Sequence, residues 1–321
     1  MRIVFMGTPE FAVASLKALI DNGHEVCAVF TRRDAPKNRG MKLFPPPVKV
    51  CAIENNIPVY QPVSLKNEKW KRILREINPD IIVVAAYGKI LPTDILNMPK
   101  YGCINVHASL LPKYRGASPI NAAVLNGEKT SGITIIQMAE GIDTGDMLHK
   151  ISTDLAENET YGQLHDRLAD IGGEALIAAI DKIAAGEIIP EKQDEAYVTY
   201  ASMIHTEDTN IDFAQDSATV SQLIRAYDPQ PGAFCYLGET KAKLFSASVL
   251  TTDGEGTPGE ILECNKKGMT IACGRGKILI GELQLAGGKK MPAQAFFAGH
   301  RDIIGKVFVR VWPLSEIGFV Y

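Results

Sequence analysis

Asn105 and His107 are the residues of this chain whose types and spacing best suit catalysis. They lie two positions apart in the strand-like run CINVH, so their side chains project from the same face of a strand. An imidazole exchanges or donates a proton near neutral pH, and an amide N–H donates to a developing oxyanion. A buried structural pair, with Asn105 capping the following loop, explains the same spacing equally well.

A third candidate, Asp143, lies in the segment GIDTGD that follows another strand-like run, Gly132–Met138. At the same sheet edge as Asn105 and His107, its carboxylate would orient the imidazole and stabilise the charged ring. Taken alone, the segment fits an Asx-type turn better, because Asp beside Gly is common in turns.

The sequence disfavours three other chemistries. The segment GTPE after the first strand-like run has one glycine where a dinucleotide fingerprint has three, so it predicts a strand-to-helix turn and argues against NAD. Cys103 and His107 have no second pair of ligands close in sequence, so we expect no metal site. A serine nucleophile is disfavoured because no Gly-x-Ser-x-Gly elbow occurs.

The elements that must position these residues alternate between short apolar runs and helical patterns over residues 2–180. The strand-like runs are Arg2–Met6, Glu25–Phe30, Asp80–Ala86, Cys103–Val106 and Gly132–Met138. Nearly continuous apolar runs are typical of strands that are buried on both faces. The alternation therefore predicts an α/β fold with a doubly wound, mostly parallel sheet, in which ligands bind at the carboxyl ends of the strands.

The pattern changes after a predicted helix over residues 160–185. A polar, irregular stretch follows, and short strands separated by turn signals come after it, which predicts a small β-barrel. We therefore expect a catalytic domain over residues 1–187, a linker over 188–206 and a C-terminal β-barrel domain over 207–321.

The charge of the chain is unevenly distributed. The net charge of −3 argues against a uniformly basic nucleic-acid coat. Residues 31–50 nevertheless hold six Lys and Arg against one Asp, and residues 264–310 hold nine against two acids. A solvated face explains any single charge run, but basic segments in two domains fit a long polyanion better than a small anion. We expect the first segment to be an irregular loop, since it contains Gly40 and four prolines.

The composition also bounds the cellular compartment. The six cysteines are scattered without close pairs, which favours free thiols in a reducing compartment. The longest apolar run, Ile81–Tyr87, is too short to span a bilayer. The N-terminal run MRIVFMG lacks the features of a signal or transit peptide, so we expect a cytoplasmic, bacterial-type chain without a membrane partner.

Five segments resemble the methionyl-tRNA formyltransferases, a family of 10-formyltetrahydrofolate-dependent formyltransferases. They are MGTPEFA at 6–12, RGMKLFPPPVK at 39–49, NVHASLLPKYRGASPI at 105–120, GITIIQMAEGIDTGD at 132–146 and PQPGAF at 229–234. The resemblance covers essentially the whole chain and implies a Rossmann-like formyltransferase domain joined to an OB-like barrel. It also implies that Asn105, His107 and Asp143 are the catalytic residues.

The resemblance further implies the substrates and a cytoplasmic role in translation initiation. A formyl group would pass from the co-substrate 10-formyltetrahydrofolate, without a metal, to the α-amino group of methionine on initiator methionyl-tRNA. The folate would lie along Ser109, Leu110, Leu111 and Pro112 and along residues 138–143. The tRNA would meet the basic loop, with Arg39 nearest the acceptor stem, and would be gripped more weakly by the barrel. The expected contacts are Lys37, Arg39, Lys42, Lys289, Lys290 and Arg301.

Two alternatives stay open at this point. A formyltransferase of the same group that acts on an amino sugar nucleotide or on glycinamide ribonucleotide needs one small anion site, and the basic barrel would then have no evident purpose. A non-enzymatic RNA-binding protein would leave Asn105, His107 and Asp143 unexplained. For each of these functions we expect a monomeric chain.

Overall fold

Residues 1–36, 43–254 and 256–310 are described by the computed structural model, which divides the chain into two units. The first unit comprises residues 1–119, 130–154 and 165–202. The second unit comprises residues 120–129, 155–164 and those from 203 onward.

Residues 1–202 hold eleven strands and six α-helices among the described positions. The strands are β1 (Arg2–Gly7), β2 (Glu25–Phe30), β3 (Ala35–Pro36), β4 (Leu43–Phe44), β5 (Val59–Tyr60), β6 (Ile81–Ala85), β7 (Cys103–His107), β8 (Arg115–Gly116), β9 (Thr130–Gln137), β10 (Met147–Asp154) and β11 (Tyr200–Ala201). The helices are α1 (Glu10–Asp21), α2 (Pro47–Glu54), α3 (Glu68–Ile77), α4 (Thr93–Leu96), α5 (Pro119–Leu125) and α6 (Tyr161–Ala185).

The main sheet of the first unit has the order β10-β9-β7-β6-β1-β2-β5. Its strands β5, β2, β1, β6 and β7 are parallel, whereas β9 and β10 are antiparallel to their neighbours. All five residues of β6 are buried, as a strand covered on both faces requires. The predicted α/β class with a mostly parallel sheet is confirmed.

Two local features differ from the sequence-based expectation. The strand β10 is not predicted, and β9 is antiparallel to β7, with Ile104 opposite Gln137 and His107 opposite Thr134. The segment that follows β9 therefore leaves from beside the start of β7 rather than its end. In addition, helix α2 begins inside the basic stretch predicted to be irregular, because Pro47 at its first position is already restricted to helical φ.

The second unit is built around an antiparallel sheet. Its further elements are α7 (Ser217–Ala226), β12 (Ala233–Leu237), β13 (Thr240–Thr251), β14 (Ile261–Asn265), β15 (Gly268–Ala272), β16 (Lys277–Leu285), β17 (Met291–Pro292), α8 (Ala293–Gly299) and β18 (Phe308–Val309). The strand order is β14-β15-β16-β13-β12-β18, with β17 paired to β16. The two end strands are linked where Ile261 N–H donates to the Lys306 carbonyl at 2.9 Å and Phe308 N–H donates to that of Gly259 at 2.8 Å. The sheet is thus a curled half-barrel, in agreement with the predicted barrel class.

Candidate active site

Strand β7 places two polar side chains beside each other in the first unit. Its other residues, Cys103, Ile104 and Val106, are buried among apolar neighbours, which fixes the strand in the middle of the sheet. Asn105 is partly exposed and His107 is 4% exposed. Because residues two apart share a face of a strand, both side chains point the same way.

Asp143 reaches this pair from the segment after β9. Its Oδ1 accepts a hydrogen bond from Asn105 Nδ2 at 3.4 Å, and its Oδ2 lies 3.5 Å from His107 Nδ1. The same Oδ2 accepts the Gly116 N–H at 2.9 Å. The structure therefore brings the three predicted residues into one cluster, although β9 runs antiparallel to β7. The backbone of Asp143 has φ of 52°, in the left-handed region that favours glycine.

His107 is oriented through its second ring nitrogen. Nε2 lies 3.0 Å from the Tyr114 carbonyl oxygen, which can only accept a hydrogen bond, so Nε2 carries a hydrogen. Nδ1 is left facing Asp143. A ring with one hydrogen can accept a proton at Nδ1, and a ring with two can donate from it. The Tyr114 carbonyl is a contact that the sequence does not predict.

The segment predicted to bind folate is held by a buried threonine. Thr134 Oγ1 donates to the Ser109 carbonyl at 2.7 Å and accepts the Leu111 N–H at 3.1 Å. The Ser109 hydroxyl donates to the Lys113 carbonyl at 2.6 Å, and Leu111 is buried. Leu110 and Pro112 are partly exposed, so these two residues offer surface to a ligand.

Arg115 and Gln193 are further residues near the cluster that the motifs do not single out. Gln193 Nε2 donates to the carbonyl oxygens of Asp143 at 2.7 Å and Gly145 at 2.8 Å. Arg115, 2% exposed, donates from Nε to Gln193 Oε1 at 2.9 Å. Arg115 lies inside one of the family-like motifs, and that position is the only sequence signal for this network.

Three of the six predicted tRNA contacts are among the residues that the structure describes. Lys37, Arg39 and Lys42 lie outside the described residues. Lys289 and Arg301 are exposed on the second unit. Lys290 forms an ion pair with Glu282 at 2.7 Å, and its Nζ lies 4.4 Å from the centre of the Phe245 ring.

Metal ligands, membrane-spanning helices and thiols are the other features of residues 1–36, 43–254 and 256–310 that bear on function. Those residues hold no group of three or more His, Cys, Asp or Glu side chains arranged to bind a metal ion. None of the helices among them is both long and apolar enough to cross a bilayer. The six cysteines are free thiols, and burial raises the pKa of Cys103 to about 12, so that thiol stays protonated at neutral pH.

Models of known protein families match both halves of the chain. A model described as formyl transferase matches residues 1–180, and one described as formyl transferase, C-terminal domain, matches residues 203–301. A methionyl-tRNA formyltransferase of Citrifermentans bemidjiense is 49% identical over 94% of this chain and 94% of its own length. A methionyl-tRNA formyltransferase of Marinobacter nauticus is 44% identical over 95% of this chain and 98% of its own.

Solved structures support the fold. An N-formyltransferase from Helicobacter canadensis, in complex with folinic acid and dTDP-3-aminofucose, has a TM-score of 0.66 at 23% identity, covering 87% of this chain and 98% of its own. HypX from Aquifex aeolicus in complex with tetrahydrofolic acid has a TM-score of 0.65 at 19% identity, covering 98% of this chain and 50% of its own. At these identities the likeness concerns the fold alone.

Proposed function

The chain belongs to the formyl transferase family, and we propose that it transfers a formyl group from 10-formyltetrahydrofolate to the α-amino group of methionine on initiator methionyl-tRNA. The observation that carries this proposal is the identity of 49% over 94% of the chain with a relative named methionyl-tRNA formyltransferase. The cluster of Asn105, His107 and Asp143 supplies groups that suit acyl transfer.

Formyl transfer needs charge stabilisation and a proton path. The neutral amine attacks the formyl carbon, a new C–N bond forms, and the carbonyl oxygen becomes an oxyanion. The bond between the formyl carbon and N10 of the folate then breaks, and the proton lost by the amine is delivered to N10. No enzyme nucleophile is required, so donors and a proton carrier are sufficient.

The geometry suits a division of these tasks among the three residues. The Asn105 amide, partly exposed, donates to the oxyanion. His107, fixed at Nε2 by the Tyr114 carbonyl and facing Asp143 with Nδ1, stabilises the oxyanion through its positive charge when the ring carries two hydrogens. Asp143 orients the ring and relays the proton from the amine toward the leaving nitrogen.

The folate is proposed to lie against the segment that Thr134 supports. Leu110 and Pro112 offer apolar surface, and the residues 138–143 run from β9 to Asp143. Ser109 and Leu111 contribute by shaping the segment, because the hydroxyl of Ser109 and the side chain of Leu111 are already engaged within the protein.

The tRNA is proposed to contact basic residues of both domains, residues 1–187 and 207–321. The enzyme is proposed to act as a monomer in the cytoplasm, where translation takes place. The acceptor end would meet Lys37, Arg39 and Lys42, and the barrel would hold the backbone through Lys289, Lys290 and Arg301. Contacts of this kind follow phosphate charge rather than base identity.

One assay tests the proposal. The full chain is incubated with 10-formyltetrahydrofolate and charged initiator tRNA, and formylmethionine is measured after ester hydrolysis. Charged elongator tRNA and uncharged initiator tRNA are the controls, and both should remain unformylated. Formylation of an amino sugar nucleotide or of glycinamide ribonucleotide in place of the tRNA would overturn the assignment, and tRNA binding without any transfer would favour a binding protein.

A further inference from the structure

Gln193, inside the predicted linker, is bonded to the segment that carries Asp143. The Gln193 side-chain amide donates both of its hydrogens, one to the Asp143 carbonyl at 2.7 Å and one to the Gly145 carbonyl at 2.8 Å. These two carbonyls lie on either side of Thr144, so one side chain ties together the backbone of the whole turn.

The orientation of Gln193 is itself fixed. Its Oε1 accepts from Arg115 Nε at 2.9 Å, which determines the face on which the amide hydrogens lie. The Arg115 guanidinium is 2% exposed, and a buried charge must be paired. Glu195 provides the pair through two bonds, at 2.7 Å to Arg115 Nη2 and 3.3 Å to Nη1.

The carboxylate of Asp143 is held by Gly116, the residue next to Arg115 in strand β8. Gly116 follows Arg115 in β8 and donates its N–H to Asp143 Oδ2 at 2.9 Å. Gly116 has φ of 118°, and a Cβ there would lie 2.6 Å from the Ala201 carbonyl, so no other residue fits without displacing β11. Strand β8 thus reaches Asp143 twice, directly through Gly116 and indirectly through Arg115 and Gln193.

Asp143 needs such restraint because its backbone lies in the left-handed region, at φ of 52°. A non-glycine residue keeps this conformation only where the surrounding structure determines it. We propose that Gln193 is a positioning residue for Asp143, oriented by the ion pair of Arg115 and Glu195, and that without it the carboxylate loses its place beside His107 and Gly116. The proposal deepens the proposed formyl transfer and rests on it for the activity measurement.

A double-mutant cycle on the full-length chain tests the proposal. Gln193→Leu removes both donors, and we expect kcat for formyl transfer to fall by about 10–10², because a misplaced group of this kind costs that order of rate, with KM for tRNA changed by less than about twofold. In an Asp143→Ala background, the same substitution should cost nothing further, since the residue it positions is gone. Equal losses in both backgrounds would overturn the proposal.

Amide hydrogen exchange gives a readout that does not depend on activity. The Gly116 amide donates to Asp143 Oδ2, so its exchange should be slow in the wild type, fast in Asp143→Ala and intermediate in Gln193→Leu. Gln193→Glu keeps the acceptor for Arg115 but loses the donors, so it should accelerate exchange while preserving the fold. Unchanged Gly116 exchange in both Gln193 variants would overturn the proposal even if the chain formylates no tRNA, an outcome that would count separately against the proposed function.

The matched control is Glu191→Gln. Glu191 lies on the same segment and forms an ion pair with Lys150 at 3.3 Å, and its carboxylate is not bonded to the Asp143 turn. We expect wild-type kcat and wild-type Gly116 exchange. Effects equal to those of Gln193→Leu would mean that the whole segment acts as a structural strap, and would overturn a specific role for Gln193.

Discussion

Asp143 in the first unit is bonded from β7, from β8 and from Gln193, whereas Lys289 and Arg301 in the second unit are exposed side chains. Both regions carry charge, but they use it at different distances. Proton transfer needs heavy atoms about 2.6–3.2 Å apart, while the attraction between an exposed lysine and a phosphate extends over a screening length of about 8–10 Å. We therefore expect the position of Asp143 to be tightly restrained, and small changes in the positions of Lys289 and Arg301 to be tolerated.

The largest expected effect comes from Asp143→Asn. The substitution keeps the shape of the side chain but removes the charge and the proton carrier, so kcat should fall by about 10³–10⁴ while tRNA affinity stays near that of the wild type. Single-turnover formylation measured across pH checks both points. A wild-type pH–rate profile in this variant would refute the proton relay.

The control for that substitution is Asp94→Asn in the same unit. Asp94 pairs with Lys71 at 2.6 Å, and its side chain is 46% exposed. The same loss of one negative charge should leave kcat within about twofold of the wild type, because exposed ion pairs contribute little.

Asn105→Ala is expected to have the next largest effect. Loss of one oxyanion donor typically costs about 10²–10³ in turnover, and tRNA affinity should change little. Asn22→Ala serves as the comparison, because the Asn22 amide donates to a helix carbonyl at an exposed position. Neutral variants scatter in turnover by about a few-fold. If the turnover of Asn105→Ala lies within that range of the Asn22→Ala value, Asn105 is not an oxyanion donor.

The sequence predicts those strands of the fold whose residue types are restricted by burial. The strands β1, β2, β6 and β7 follow from apolar runs, because a strand buried on both faces has little choice of residues. Strand β10 is not predicted because it lies at the sheet edge and, after its first two residues, alternates partly buried residues such as His149 with exposed residues such as Lys150. The direction of β9 is set by pairing with β7, which local periodicity does not encode.

The candidate site, likewise, is predictable only where its residues lie on one element. The spacing of Asn105 and His107 follows from one strand and is visible in the sequence. The contact between Gln193 and Asp143 joins positions 50 residues apart through side-chain geometry, and no local pattern records it. The role of Lys290 is equally hidden, since only the structure shows that Glu282 already neutralises it.

Lys289→Ala and Lys290→Ala sharpen the comparison within the second unit, with smaller effects. Removing exposed Lys289 should weaken tRNA binding and lower the slope of log Kd against log salt by about one, as expected for one lost phosphate contact. Lys290→Ala should affect tRNA binding less, because Glu282 holds its charge, and should instead lower the free energy of unfolding by about 0.5–1 kcal/mol. Filter binding across salt and thermal unfolding measure the two. Equal salt slopes would show that the ion pair of Lys290 opens on the tRNA.

The smallest expected effect is on the alkylation rate of the Cys103 thiol in β7, and it involves no substitution and no loss of activity. This residue is fully buried, and burial raises its pKa to about 12, whereas Cys264 in the second unit is partly exposed. Because only the thiolate reacts, raising the pH from about 7 to about 9 should speed alkylation of Cys264 but leave Cys103 unlabelled in the folded protein. Mass spectrometry of peptides after timed labelling measures both. If Cys103 reacts as fast as Cys264, β7 opens readily to solvent, and the strand that carries Asn105 and His107 cannot be the rigid support on which precise positioning of Asp143 depends.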